Sequence, residues 1–267
     1  MRTVTDRPLI LVSNDDGWQS PGIQRVAEAL AELGDVWVVA PERERSAVSH
    51  AISLHKPLRV RRMADQSFWC SGTPADCVLV AMHHVLPRRP DLCVSGINKG
   101  ANLGDDVTYS GTVGAAIEAA LGDVPAIAAS LTGDVAKPDW QPAVDLTMQV
   151  ARDVLANGLP PHTVLNLNVP NHYDAAKGIR VGRLGRRKYG GEGGDIVAGR
   201  DPRGRTYLWL GGAVPIHEPR VPGSDCDLND EGFASLTPLN LDLTHHALMD
   251  RVAAWPSVTS ATTDENS

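Results

Sequence analysis

Residues 9–17 read LILVSNDDG, an apolar run that ends in two adjacent carboxylates and a glycine. A short apolar run of this kind is typical of a buried strand in a parallel sheet. In open α/β sheets, ligands bind beyond the carboxyl ends of such strands. Asp15 and Asp16 repel each other there and lose hydration, and a hard divalent cation would stabilise the pair. A plain turn is the alternative, because Asn, Asp and Gly also form turns.

Length and composition indicate one large globular domain, or a domain with an appendage. The chain has 267 residues, of which 42% are hydrophobic, so a sizeable core is available. Its formal net charge of −7 argues weakly against a nucleic-acid polymer as partner, because such sites are usually basic. A small anionic ligand is compatible with this charge, since its binding depends on local groups.

The cysteines and the apolar segments bear on the compartment. No C-x-x-C pair occurs, so we expect the four cysteines to be reduced core residues rather than zinc ligands. The start of the chain lacks the apolar region of a signal peptide, and no segment approaches the roughly 20 apolar residues of a membrane span. We therefore expect a cytoplasmic protein with no membrane partner.

Strand and helix patterns alternate over the first 170 residues. This alternation predicts an α/β fold, a Rossmann-like doubly wound and mainly parallel sheet. The predicted strands are Leu9–Ser13, Val36–Ala40, Ile52–Val60, Ser67–Cys70, Asp91–Ser95, Val124–Ala129 and Val164–Val169. The predicted helices are Ile23–Leu33, Pro74–Leu86, Gly111–Leu121 and Val144–Ala156. We expect the third and fourth strands to form a more exposed, antiparallel part.

The pattern changes after Pro170. Glycine and arginine become frequent between Gly182 and Gly212, and strands such as Thr206–Leu210 occur without intervening helices. These features predict a C-terminal β-hairpin extension. Such arms often serve oligomerisation, and a surface loop is the alternative. A short C-terminal helix is predicted at His245–Ala254.

We therefore divide the chain into three parts. Residues 1–170 form the predicted Rossmann-like catalytic core, and residues 171–256 form the hairpin arms and a C-terminal segment for oligomerisation. Residues 257–267 are polar and lack a buriable face, so we expect a disordered tail.

Three loops that follow predicted parallel strands would meet at one edge of the sheet. The first holds Asp15 and Asp16, the second holds Ser46, and the third holds Asn98. Two carboxylates, a hydroxyl and an amide oxygen form an oxygen-only set, which suits Mg²⁺, Mn²⁺ or Ca²⁺ more than zinc. Taken alone, Ser46 could cap a helix or turn, and Asn98 could shape its glycine-flanked loop.

A fourth segment, Ser110-Gly111-Thr112, opens the predicted Ala-rich helix. Free backbone N–H groups at a helix start, together with two hydroxyls, can form an anion site. An ordinary N-cap by one of the hydroxyls is the alternative. The glycine-rich segment just before it, which includes Asn102 and Asp106, could wrap a phosphate or form a plain loop.

Several well-known site motifs are missing from the sequence. No G-x-G-x-x-G follows the first strand, and neither G-x-x-x-x-G-K-[ST] nor H-E-x-x-H nor G-x-S-x-G occurs. These absences argue against a dinucleotide-binding fingerprint, a P-loop NTPase, a zinc protease of that type and an α/β-hydrolase.

The chain resembles the SurE survival-protein family in five motifs that occur in family order. They are residues 14–17 (NDDG), 40–46 (APERERS), 71–77 (SGTPADC), 95–98 (SGIN) and 110–113 (SGTV). Members of this family are metal-dependent 5′/3′-nucleotidases, also described as acid phosphatases. The resemblance implies the same class of activity here, and one divalent cation per subunit.

The resemblance also implies particular site residues. The four metal ligands fall on Asp15, Asp16, Ser46 and Asn98. The residues expected around the substrate phosphate are Asn14, Asn102, Ser110, Gly111 and Thr112. The candidate catalytic residues are Asp15, Asp16, Asn98 and Asp106. Asp106 could transfer a proton or only brace its loop, and Tyr109 stands where some relatives carry His.

The main hypothesis is therefore hydrolysis of nucleoside 5′- and 3′-monophosphates to nucleoside and phosphate. Family members form dimers or tetramers through a hairpin and an exchanged C-terminal segment, which implies a homodimer or homotetramer. Two alternatives use the same residues or a similar sheet: a non-catalytic, metal-dependent nucleotide-binding protein, and a nucleotide-sugar transferase.

Overall fold

The computed structural model describes residues 7–188, 196–210 and 220–259. The strands are β1 Leu9–Ser13, β2 Asp35–Pro41, β3 Val60–Ala64, β4 Ser67–Cys70, β5 Leu92–Lys99, β6 Ala126–Thr132, β7 Thr163–Pro170, β8 Ile179–Val181, β9 Ile196–Arg200, β10 Thr206–Leu210 and β11 Ala234–Asn240. The α-helices are α1 Pro21–Leu30, α2 Pro74–Val80, α3 Gly111–Leu121, α4 Trp140–Asn157, α5 Asp225–Asp230 and α6 His246–Ala253. None of the helices found among the described residues could span a membrane.

Strands β1–β8 and β11 form one sheet with the order β3-β4-β2-β1-β5-β6-β7-β11-β8. The run from β4 to β7 is parallel, whereas β3 and β11 are antiparallel to their inner neighbours. The chain passes from β1 to β2 on one side and returns to β5 on the other, so the strand order reverses beside β1. A crevice at such a reversal is the usual ligand site of a doubly wound sheet. The predicted α/β fold is confirmed.

The sheet is covered on both faces by helices. Ile10 and Val12 of β1 pack in one apolar cluster with residues of α1 and α4. Leu11 points to the opposite face and packs in a second cluster with residues of α2 and α3. All five residues of β1 are buried, which explains why the first four of them, Leu9 to Val12, form a continuous apolar run. Burying each of these aliphatic side chains stabilises the fold by about 1.5–3 kcal/mol.

The start of α2 follows directly from its sequence. Pro74 occupies the first turn, and the Thr73 hydroxyl accepts a hydrogen bond from the Asp76 N–H at 3.1 Å. Asp76 Oδ2 accepts in turn from the Thr73 N–H at 2.8 Å, which completes a capping box. The helix ends at Val80 and continues as a π-helical turn, Ala81–Val85, so the predicted helical segment to Leu86 is divided in two.

The predicted strand Ile52–Val60 is wrong, because the strand begins only at Val60. Side chains take the backbone donors that a strand would need: Ser53 N–H donates to Asp76 Oδ1 and Arg59 N–H donates to Ser71 Oγ. Strand β4 lies where the sequence predicts it, but the expectation of an antiparallel strand is met on only one of its two sides. This strand is antiparallel to β3 and parallel to β2.

Two strands beyond residue 170 belong to the central sheet. Strand β11 pairs with β7, and β8 pairs with β11. Strands β9 and β10 form the separate antiparallel hairpin that the sequence predicts, and α6 matches the predicted C-terminal helix. Helix α5, with Ser224 as its N-cap, is not predicted by the sequence pattern. Parts of the predicted arms, at 189–195 and 211–219, lie outside the described residues, as do residues 1–6 and the tail at 260–267.

Candidate metal and phosphate site

The acidic pair lies at the carboxyl end of β1, where the strand order reverses. Asp15 is only 4% exposed, and Asp16 is half-buried. Burial raises the pKa of Asp15 from its usual 3.8 to about 6, although a hydrogen bond from Thr112 opposes this rise. Burial also raises the pKa of Asp16, although the Lys99 N–H opposes it. In both cases the loss of hydration on burial outweighs the groups that favour the ionised form.

The first turn of α3 lies directly against the acidic pair. Thr112 Oγ1 donates a hydrogen bond of 2.5 Å to Asp15 Oδ1. A Cβ atom added to Gly111 would lie 2.8 Å from Asp15 Cβ, so the closeness of this approach depends on a glycine. The carboxyl end of β1 and the amino end of α3 therefore meet at Asp15.

The loop after β2 is fastened to the same place. Arg45 N–H donates to the Asp15 carbonyl at 2.7 Å, and Trp18 N–H donates to the Pro41 carbonyl at 2.9 Å. Ser46 follows Arg45, is exposed, and donates its hydroxyl to Glu44 Oε1 at 2.8 Å. The backbone of Arg45, next to Ser46, therefore contacts Asp15, whereas the Ser46 hydroxyl itself contacts Glu44.

Asn98 reaches this edge through a bulge in β5. Ser95 pairs with Ala128 and Asn98 pairs with Ser130, so β5 contains one extra residue between these pairs. Gly96 within the bulge has a φ of 138°, and a Cβ there would lie 2.3 Å from the Ala129 carbonyl oxygen. The bulge changes the direction in which the Asn98 side chain points. The backbone N–H of the next residue, Lys99, donates to Asp16 Oδ2 at 3.0 Å.

The remaining oxygen atoms fit a hard divalent cation. Asn98 donates its amide N–H to the Gly100 carbonyl, and no donor among the described residues reaches its side-chain oxygen. Asp15 Oδ1 accepts from the Thr112 hydroxyl, and Asp16 Oδ2 accepts from the Lys99 N–H. Among the residues described, no group of three or more His, Cys, Asp or Glu is arranged for a metal. A cation here would therefore need the amide and hydroxyl oxygens, with water or substrate completing its shell.

The N-terminus of α3 has the features of an anion site. Ser110 is its N-cap and accepts a hydrogen bond from the Val113 N–H at 3.0 Å, so its own hydroxyl hydrogen can be donated elsewhere. Gly111 and Thr112 occupy the first helical positions, where backbone N–H groups have no partner within the helix. The partial positive charge of this helix end favours a phosphate group beside the acidic pair.

Two of the predicted phosphate contacts, Asn14 and Asn102, have hydrogen-bond partners within the protein. Asn14 donates to the Gly17 carbonyl and to Ser20 Oγ, and its oxygen accepts from the Gly17 N–H. Asn102 donates its amide to Ser130 Oγ at 2.7 Å. Asn14 lies in the turn after β1 and Asn102 in the loop after β5, and the contact of either side chain with a phosphate stays a prediction.

Asp106 pairs with Arg187, a residue that belongs to none of the sequence motifs. The Arg187 guanidinium donates to Asp106 Oδ2, and both side chains are only 10% exposed. Arg187 is 81 residues away along the chain, just after β8. The only sequence signal is the high frequency of glycine and arginine there, which also fits an exposed hairpin.

Comparison with known proteins identifies the family. Residues 10–191 match the family described as Survival protein SurE. This chain belongs to the SurE family. A 5′-nucleotidase SurE of Pelobacter propionicus is 50% identical over 250 residues, covering 92% of this chain and 98% of that protein. A 5′-nucleotidase SurE of Geobacter sulfurreducens is 48% identical over 247 residues, covering 92% and 93%.

A solved structure supports the SurE fold as well. The SurE protein of Aquifex aeolicus superposes with a TM-score of 0.81 at 38% identity, covering 92% of this chain and 98% of that one. The match with the SurE family confirms the resemblance drawn from the five motifs. It spans the acidic pair, the bulge in β5 and the start of α3, and it extends to Arg187.

Proposed function

We propose that this chain is a metal-dependent phosphomonoesterase that hydrolyses nucleoside 5′-monophosphates, and also 3′-monophosphates, to nucleoside and phosphate. The observation that carries the proposal is the contact of Thr112 with Asp15, which joins a helix N-terminus to a buried acidic pair. A cation at the acidic pair and an anion at the helix end would then be immediate neighbours. The names of the curated SurE relatives support the same activity.

Four residues would hold one divalent cation per subunit: Asp15, Asp16, Ser46 and Asn98. Mg²⁺, Mn²⁺ and Ca²⁺ all prefer such oxygen ligands. When bound, the ion supplies positive charge next to the phosphate and lowers the pKa of water at the site. Ser46 must turn its hydroxyl away from Glu44 to join this set, whereas the Asn98 oxygen needs no donor to be displaced.

The chain's own groups would bind and orient the phosphate. The Gly111 N–H and the Ser110 hydroxyl can donate to phosphoryl oxygens as negative charge develops on them, and the Thr112 N–H could join them by turning from the Asp15 carboxylate. The Thr112 hydroxyl instead holds Asp15, which fixes the distance between the two halves of the site. Asp106 would either transfer a proton or support its own loop, and its ion pair with Arg187 favours the supporting role.

Assembly and location complete the proposal. We expect a homodimer or homotetramer, because the β9–β10 hairpin exposes large apolar side chains such as Leu208 (59%) and Trp209 (66%). We expect the enzyme to act in the cytoplasm, because its four cysteines are free and buried, which fits a reducing compartment.

Phosphate release from 5′-AMP, 5′-GMP and 3′-AMP tests the function. We expect turnover with one or more of Mg²⁺, Mn²⁺ and Ca²⁺, none in EDTA, and none by the Asp15→Asn/Asp16→Asn variant. Asp145→Asn, an exposed carboxylate on α4, is the matched control and should retain full activity. Nucleotide binding by the native protein without phosphate release would instead establish a non-catalytic nucleotide-binding protein. Unchanged release by the double variant would reject the proposed ligands.

A further inference from the structure

The segment Gly182–Lys188, which leaves the sheet after β8, lies against the loop that precedes α3. A Cβ on Gly104 would lie 3.0 Å from the backbone of Gly185, so these two loops are in direct backbone contact. Arg187 N–H also donates to Asp105 Oδ2 at 3.2 Å. A segment outside the parallel core thus lies directly against the loop that leads into α3.

One buried carboxylate fastens this contact. Asp225 is fully buried, and its Oδ2 accepts from the Gly104 N–H at 2.9 Å. Its Oδ1 accepts from the N–H groups of Gly185, at 2.7 Å, and Cys226, at 2.8 Å. Three separate backbone segments therefore meet at one side chain. Hydrogen bonds from N–H groups to a buried carboxylate are strong, so the two loops have a fixed relative position.

The Arg187–Asp106 pair extends this connection to the start of α3. The Asp106 carbonyl accepts from the N–H groups of Tyr109, at 3.0 Å, and Ser110, at 3.1 Å. Asp106 therefore closes the turn that delivers Ser110 to its N-cap position. A movement of the Asp106 side chain would carry this turn with it, and with the turn the Ser110 hydroxyl and the Gly111 N–H.

We propose that Arg187 is a positioning residue of the phosphate site: by pairing with Asp106, it holds the turn that presents Ser110 and Gly111 to the substrate phosphate. The proposal rests on the proposed function and extends it to a residue after β8. Removing one partner of a buried ion pair is costly for the charge that remains, and the structure relieves that cost by moving. The expected movement is at Asp106, and the consequence is a displaced Ser110.

The chain offers a matched control one residue away. Arg186 pairs with Asp105 at 3.0 Å, but these side chains are 64% and 42% exposed. Exposed pairs contribute little, because water screens them. Arg186→Ala therefore removes an arginine side chain from the same segment, but it breaks an exposed ion pair rather than a buried one.

The test measures the affinity for inorganic phosphate by calorimetry, together with kcat and KM for AMP, in the full-length chain. We expect Arg187→Ala to lower phosphate affinity and kcat/KM by about tenfold or more, and Arg186→Ala to change each by less than about twofold. In an Asp106→Asn background, Arg187→Ala should add less than about a twofold further loss, because both changes act through one contact. Arg187→Lys, which keeps the charge, should lie between the native protein and Arg187→Ala.

Unchanged phosphate affinity in Arg187→Ala would overturn the proposal, and so would losses that multiply in the double variant. If Arg187→Ala does not fold, Arg187→Lys is compared with Arg186→Lys, and equal phosphate affinities overturn it. Failure of the native protein to hydrolyse any nucleotide would reject the proposed function alone, since the affinity for inorganic phosphate still decides the role of Arg187.

Discussion

The Thr112 hydroxyl donates a hydrogen bond to Asp15 Oδ1 across 97 residues of sequence. Thr112 is fully buried and Asp15 nearly so, which makes the bond inaccessible to competing water. It joins the carboxyl end of β1 to the first turn of α3. The cation-binding and anion-binding halves of the candidate site therefore form one unit, and changes at this contact should affect both.

Thr112→Val keeps the size of the side chain but removes the donor. A hydrogen bond to a charged group contributes about 1.5–3 kcal/mol, so we expect kcat/KM for AMP to fall by about tenfold or more. The Mn²⁺ concentration for half-maximal activity should rise as well, since Asp15 loses its orientation. Thr112→Ser retains the hydroxyl and is the control. Equal kinetics of the Val and Ser variants would contradict this role.

Asp15→Asn should separate metal binding from folding. Asparagine can still accept the hydrogen bond from Thr112, but it carries no charge for a cation. In native protein, Mn²⁺ at a hundred times its Kd should stabilise the fold by about 2.7 kcal/mol relative to EDTA. Thermal unfolding should show this rise in Tm for the native chain and for Asp145→Asn, and no rise for Asp15→Asn. A metal-induced rise that survives Asp15→Asn would exclude Asp15 as a ligand.

The metal-free protein should have an unusual pH dependence because of Asp15. Its pKa is about 6 in the folded chain and 3.8 ordinarily, so the folded state binds the proton more tightly. The contribution of Asp15 to stability therefore falls as the pH rises from about 4 to about 6, and is constant above that. In EDTA, Asp15→Asn should match the native protein near pH 4 and exceed its stability by about 3 kcal/mol near pH 7. Urea unfolding of both proteins at several pH values measures the difference, and a constant difference would contradict the prediction.

Gly111→Ala tests how closely α3 must approach the acidic pair. Alanine normally stabilises a helix relative to glycine by about 1 kcal/mol. At this position the added Cβ would lie 2.8 Å from Asp15 Cβ, so we expect lower stability and loss of activity instead. Gly122→Ala, just beyond the other end of α3, is the control, because there the nearest atom is the flexible end of Met82, at 2.9 Å. A stabilised and active Gly111→Ala enzyme would show that the approach is not required.

The sequence predicts those parts of the fold in which the pattern is local. The apolar run of β1 and the Thr73–Asp76 capping box each depend on neighbouring residues, and both are found in the structure. Residues 52–59 are irregular because Ser53 and Arg59 donate to side chains more than ten residues away. No periodicity in that segment encodes those partners.

In the candidate site, too, some contacts follow from local sequence patterns and others depend on residues far apart in the chain. The carboxyl ends of β1 and β5 meet because the strands are parallel, whereas the contact of Lys99, the last residue of β5, with Asp16 also depends on the bulge in that strand. The amides of Asn14 and Asn102 are engaged by Ser20 and Ser130, which only the folded chain brings near. Arg187 is missed for a related reason. Its partner Asp106 lies 81 residues earlier, and a basic residue in a glycine-rich segment more often indicates an exposed loop.

The β9–β10 hairpin should mediate self-association. Its large apolar side chains are exposed on both strands, as Val197 (58%) and Trp209 (66%) show, and exposure of this extent is unfavourable unless a partner covers it. Light scattering after size exclusion should give the native protein a mass that is a multiple of 28.5 kDa.

Leu208→Glu/Trp209→Glu should shift the mass toward one chain, because burying two new carboxylates in an interface is costly. Arg203→Glu changes the net charge by the same two units at the exposed turn of the hairpin and should leave the mass unchanged. A native protein of single-chain mass, or an assembly indifferent to the double substitution, would show that the hairpin is not the interface.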